Sequence, residues 1–164
     1  MKSAWRIVKQ KHAAKAFDGE GARLFGGRWN SVGVPMVYLA TSRALALLEI
    51  LVHLGDEDCL QSRYVMIRVD YADEAVREFP TKKLAPGWNA PVSGRASRAI
   101  GDAFCKKGES LLLSVPSVIV PEERILLLNP RHADVTRLAI GKPVALDIDL
   151  RLVKRSEVRS RRKI

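Results

Sequence analysis

Between Gly19 and Leu54 the chain reads GEGARLFGGRWNSVGVPMVYLATSRALALLEILVHL, which sets a guanidinium, Arg28, directly after paired glycines and one carboxylate, Glu49, in a run of Ala, Leu, Ile and Val. Gly19, Gly21, Gly26, Gly27 and Gly33 allow backbone angles and close approaches that other residues resist, so this loop can hold an anionic ligand. Arg28 would serve it as a planar, permanently charged donor. Glu49 is the anomaly: on a helix its neighbours three and four positions away are Leu45, Ala46, Val52 and His53. Burying an unpaired carboxylate is costly, so Glu49 must neutralise, pair with a cation such as Arg28, or face a cleft. The plainer alternative is a structural ion pair or a solvated edge. Ser117, just after Pro116, is either a core hydroxyl bonded to the backbone or a hydroxyl that orients a carboxylate. Arg6 either brings a second guanidinium toward the glycine loop or lies on the surface of an edge strand.

The elements that must position these residues follow from periodicity and breakers. Val34 to Ala40 reads as a short strand, with Pro35 confining it to an edge or a strand start; period two puts Met36, Tyr38 and Ala40 on one face and Val37 and Leu39 on the other. Thr41 and Ser42 offer caps for a helix over Arg43 to Leu54 that stops at Gly55. Ala4 to Val8 is a first strand, Ser62 to Tyr71 an alternating one, and Ala75 to Phe79 a weaker one. Pro80 to Gly94 is a loop long enough to act as a lid. Ser97 to Lys107 is a helix, Ser110 to Val120 two strands broken by Pro116, and Glu123 to Leu128 another strand ended by Asn129 and Pro130. A short helical stretch runs from His132 through Leu138, and Val144 to Val153 is the last strand.

The 164 residues, 47% hydrophobic, suit a single domain over 1–164 with a short basic tail from about 154. No apolar run approaches the length that spans a bilayer, and the start lacks a secretion signal. With Cys59 and Cys105 the only cysteines, no disulfide framework is implied, and a reducing cytoplasm fits. His12, His53 and His132 are scattered, so no metal set is expected. The net charge of +10 calls for an anionic partner, but no nucleic-acid-binding motif accompanies it. A non-catalytic, basic nucleic-acid-binding module is the alternative of another class.

Three phrases, GEGARLFGGRWNSVG, VYLATSRALALLEILVHL and LLLSVPSVIVPEERILLLNPRH, together resemble the RES domain. That resemblance covers Ala4 to about Leu152. It implies an α+β fold like that of ADP-ribosyltransferases, with two small, mostly antiparallel sheets and flanking helices. It implies a bacterial toxin that cleaves NAD, its substrate rather than a cofactor, and depletes it to arrest growth; ADP-ribosyl transfer to a host protein is the alternative. Arg28, Glu49 and Ser117 match the name residues, Tyr38 the site tyrosine, and Arg6 and Asn129 further recurrent positions. In those roles Glu49 would stabilise charge on the ribose, Ser117 would orient Glu49, and Tyr38 would give nicotinamide a stacking surface. Arg28 and Arg6, with the Gly26 and Gly27 backbone, would hold the pyrophosphate. Ile125 is a departure, since members often carry asparagine there. The resemblance further implies an Xre-like DNA-binding antitoxin as partner and a homodimer within the complex, with no membrane and no direct nucleic-acid contact.

Overall fold

A computed structural model describes residues 1–53, 63–91 and 94–152. In chain order these form β1 (Lys2–Lys9), α1 (Glu20–Phe25), β2 (Val37–Ala40), α2 (Arg43–Leu51), β3 (Tyr64–Tyr71), β4 (Val76–Glu78), α3 (Arg95–Lys107), β5 (Leu112–Pro116), β6 (Arg124–Leu128), β7 (Ala139–Ile140) and β8 (Val144–Leu146), with short 3-10 turns between. The strands join in one curled sheet of order β4-β5-β6-β2-β1-β3-β7, with β8 also on β3. All pairings are antiparallel except β4 with β5.

One sheet replaces the two small sheets expected, because β2 is bonded on both sides. It meets β6 along all four of its residues, and it meets β1 at one register pair, Trp5 opposite Ala40. β1 in turn pairs with β3 over its whole length, Lys2 opposite Tyr71 through Lys9 opposite Tyr64. The single Trp5–Ala40 bridge is therefore a seam between two well-bonded halves.

The alternation expected of β2 divides the core. Val37 and Leu39 face a layer with Ala4, Val69, Tyr71, Leu112, Leu126 and Leu128. Met36, Tyr38 and Ala40 face a second layer with Trp29, Leu45, Ala46, Phe104, Val115 and Leu127. β6 reads RILLL because it is covered on both faces; Leu127 and Leu128 are each fully buried, which stabilises by about 1.5–3 kcal/mol per side chain. Gly101 lets α3 lie directly on the Trp29 carbonyl, where any Cβ would collide.

Several boundaries differ for local reasons. The glycine-rich stretch read as loop contains α1, started by the Asp18 carboxylate accepting the Glu20 N–H at 2.8 Å and closed by Gly26 at φ +70°. Only one strand, not two, occupies Ser110 to Val120, because the Ser117 hydroxyl accepts the Ile119 and Val120 N–H groups and turns the chain. The last strand stops at Leu146, and Asp149 then captures the Arg151 N–H within a 3-10 turn, Leu150–Leu152. The helix expected to run to Leu54 ends at Leu51, where the Val52 and His53 N–H groups close a turn on the Leu48 and Ile50 carbonyls; Cys59 and the basic tail lie outside the described residues.

Candidate active site

Glu49 and Ser117 meet, although 68 positions separate them. α2 is capped by Ser42, whose Oγ accepts the Leu45 N–H at 3.0 Å. Leu45 and Ala46 are buried against the sheet, and Glu49, one turn further on, shares their side of the helix and is half-buried. Ser117 follows β5 and is fully buried. Its N–H donates to the Glu123 carbonyl at 2.9 Å, and its Oγ accepts N–H groups from Ile119 at 3.0 Å and Val120 at 3.1 Å. Both lone pairs are thus filled, and the one hydroxyl proton points to Glu49 Oε1 at 2.8 Å. Glu49 is held as an acceptor, and among the described residues it makes no ion pair.

The glycine loop is built around Tyr38 and Asn30. Tyr38 Oη donates to Asn30 Oδ1 at 2.6 Å and accepts the Trp29 N–H at 3.1 Å. A Cβ on Gly27 would stand 2.5 Å from Tyr38 Oη, so only glycine fits beneath the ring. Burial raises the Tyr38 pKa well above the ordinary tyrosine value, against the opposing Trp29 N–H and the nearby Arg28 charge, so the phenol stays neutral. Asn30, fully buried, donates to the Ala22 and Val34 carbonyls at 2.8 and 3.0 Å. Sequence reading passed over it, although an asparagine in a glycine-rich turn is a recognised loop organiser. The same bonding corrects one expectation: the Gly26 and Gly27 N–H groups donate to Ala22 and Asn30 carbonyls at 2.8 and 2.9 Å, so they are not aimed at a phosphate.

Arg28 does not pair with Glu49. Its Nη1 donates to the Trp88 carbonyl at 2.9 Å, and its Nη2 to those of Ala90 at 2.8 Å and Pro91 at 3.2 Å. The Trp88 ring lies 6.1 Å from that of Trp29, tilted by 35°. A second arginine that the sequence did not single out holds the other end of this loop. Arg124 donates to the Phe79 carbonyl at 2.9 Å and Thr81 Oγ1 at 3.0 Å while gripping the Ser114 side chain and carbonyl. The span read as a lid is thus docked at both ends.

Arg6 sits at the seam. Its Nη1 donates to the Tyr38 carbonyl at 2.9 Å, its Nε is buried with no partner, and burial pushes the guanidinium down to about 10, with Asp18 opposing. Its neighbours along the strand, Ala4 and Val8, pack on the face of β1 away from Tyr38. Asn129 stands apart from Glu49: its Nδ2 donates to the Cys105 carbonyl at 3.3 Å and its Oδ1 accepts the Arg131 N–H at 3.0 Å, tying α3 to the end of β6. Ile125, the departure, is buried opposite Ala40, an environment that suits an apolar side chain. Among the described residues no group of His, Cys, Asp and Glu could hold a metal, and no helix is long and apolar enough to cross a membrane.

These features define a mixed α/β protein on one curled, mostly antiparallel sheet, with a serine-held carboxylate and an arginine-bearing glycine loop. The family model described as RES domain matches residues 3–149, and the chain belongs to that family. It is 38% identical over 151 residues to "Toxin Res" of Photorhabdus laumondii, covering 92% of this chain and 96% of the relative. It is 41% identical over 159 residues to "Prs ADP-ribosylating toxin" of Sphingobium sp., covering 94% and 98%. In fold it is similar to a chain of the crystal structure of the Mycobacterium tuberculosis MbcT-MbcA toxin-antitoxin complex, with a TM-score of 0.73, 23% identity, and 88% and 84% of the two chains covered. "NAD(+) phosphorylase MbcT" of that organism is 36% identical over 72 residues, 40% of this chain and 39% of the relative.

Proposed function

We propose that this protein is the toxin of a toxin–antitoxin pair and that it breaks the bond between nicotinamide and ribose in NAD. One observation carries the reading: Ser117 Oγ stands 2.8 Å from Glu49 Oε1 with its own lone pairs already filled. When the C–N bond breaks, its electron pair leaves with nicotinamide and the ribose carbon becomes cationic; an ionised carboxylate fixed beside it stabilises that charge. Tyr38 offers the leaving ring a stacking surface and Arg28 holds the pyrophosphate as a bidentate donor, while Arg6, whose side chain leaves β1 on the face away from Tyr38, meets that site only through its guanidinium at the seam. Asn129 supports the site from the junction of α3 and β6. Water or phosphate then adds its oxygen to the ribose carbon and loses a proton. The name of the MbcT relative supports phosphate as that acceptor.

A second reading, ADP-ribosyl transfer to a protein, is favoured by the name of the Sphingobium relative, which matches over nearly its whole length. Both readings share the first step, so one experiment tests the step and then divides them. Wild type and Glu49→Gln are given NAD labelled in its adenosine half, in cell extract, while nicotinamide release is followed. Release should fall on the order of a hundredfold in the variant, and equal rates would sink the assignment. Label that stays small and soluble supports degradation; a discrete labelled protein band supports transfer. The partner is an antitoxin, a reading supported by the toxin–antitoxin complex in which the similar fold was solved. The chain's charge of +10 would favour an acidic inhibitory segment.

A further inference from the structure

The three main-chain carbonyls on Arg28 occupy the hydrogen-bonding edge that a pyrophosphate would need. Resting on the reading of Arg28 as the pyrophosphate ligand, we infer that Arg28 is a latch: without ligand it fastens residues 88–91 over the site, and an incoming pyrophosphate displaces them. A guanidinium has five N–H donors in a fixed fork, and here three of them, one on Nη1 and two on Nη2, are given to Trp88, Ala90 and Pro91. The bonds to the carbonyls already carry the charge of the donor, but a phosphate adds charge on the acceptor and takes two N–H groups in one bidentate grip, so a ligand carrying two negative charges outcompetes neutral carbonyls for this donor.

The loop is built to open at one end. At its start, Phe79 donates its N–H to the Ser114 carbonyl at 2.9 Å, and Arg124 grips the Phe79 carbonyl and Thr81 Oγ1. These bonds link the loop to β5 and β6 and involve no residue of the site. At its far end it is held by the Arg28 bonds and by Trp88, which packs tilted on Trp29 against the edge of the second core layer. The turns in between are local, with Trp88 N–H on the Ala85 carbonyl at 3.1 Å and Ala90 N–H on the Gly87 carbonyl at 2.9 Å. Segment 88–91 can therefore lift while Phe79 stays fixed. A closed latch also lowers apparent affinity by the fraction of molecules already open, so weakening the latch without touching Arg28 should tighten binding.

The test follows amide hydrogen exchange in the full chain with ADP-ribose as probe, beside calorimetric affinities for wild type, Arg28→Ala and Trp88→Ala. ADP-ribose should speed exchange of the Trp88 and Ala90 amides at least tenfold and leave the Phe79 amide unchanged. Arg28→Ala should show the fast exchange with no ligand and should bind ADP-ribose at least tenfold more weakly. Trp88→Ala should bind it several-fold more tightly. Arg28-dependent binding with no change, or with more protection, at 88–91 overturns the latch and leaves the site reading standing. Equal affinity in wild type and Arg28→Ala, or no binding to either, overturns both.

Discussion

Ser117→Ala should damage stability and catalysis by separable amounts. The substitution removes the acceptor of two N–H groups, those of Ile119 and Val120, and the donor to Glu49 Oε1. A buried N–H left without a partner costs about 1–3 kcal/mol. Ile119 and Val120 are only half-buried, so water takes up part of that loss, and about 2 kcal/mol in total is expected. For a chain of this size each kcal/mol moves the melting temperature by about 2–4 °C, which gives a fall of about 4–8 °C. Losing a hydrogen bond to a charged group, worth about 1.5–3 kcal/mol, should lower kcat about ten- to a hundredfold with little change in KM. Glu49→Gln is the control: the Ser117 hydroxyl can still donate to the amide oxygen, so the melting temperature should hold while nicotinamide release collapses. Calorimetric melts and release assays on the same preparations read both effects. A Ser117→Ala protein that melts early yet keeps its kcat would make the hydroxyl purely structural and refute its role in holding Glu49.

Three further substitutions test the packing and charge around the candidate site. Gly101→Ala should be severely destabilising, because the new methyl meets the Trp29 carbonyl of a buried loop, whereas Gly21→Ala, with nothing near it and a helical backbone, should stabilise by about 0.5–1 kcal/mol in urea melts. Arg6→Met should change stability by less than about 1 kcal/mol at neutral pH, since it removes a buried charge along with its single bond to Tyr38, but should raise KM for NAD. Because the folded value, about 10, lies below the unfolded one, the unfolded chain binds more protons between them. Wild-type stability relative to Arg6→Met should therefore rise as pH climbs from about 10 toward the ordinary arginine value, and a relative fall in melts across that window would contradict the assignment.

Part of the candidate site was legible because its signals are local. Glu49 stands out in an apolar helix, and the faces of β2 and β3 follow from period two, with Val65, Ile67, Val69 and Tyr71 buried as alternation requires. What was not legible depends on contacts distant in sequence. Nothing near Arg28 announces the Trp88 and Ala90 carbonyls, 60 and 62 positions away. Arg124 reads as an ordinary strand-end arginine until Phe79, Thr81 and Ser114 are brought to it. α1 was hidden by Gly21, which weakens helical propensity without forbidding a helix, and by start signals supplied by the Asp18 side chain. The second half-strand after Pro116 was lost to a hydroxyl that bonds its own backbone, a competition that propensity does not register.

The seam gives a physical reason for the position of Arg6. β1 is fully bonded to β3 and β2 to β6, yet β1 and β2 share only the Trp5–Ala40 pair, so the main-chain groups on their facing edges need other partners. One of them, the Tyr38 carbonyl, takes its hydrogen bond from Arg6. That choice places a cation where a ladder bond would otherwise run and leaves its Nε buried and unpaired, a state that burial alone disfavours. A phosphate drawn to this seam would pair the guanidinium, reverse the downward pull on its proton affinity and recover the desolvation cost. The same carbonyl belongs to the residue whose ring and hydroxyl organise the glycine loop of Arg28, so Tyr38 links the surroundings of the two guanidinium groups.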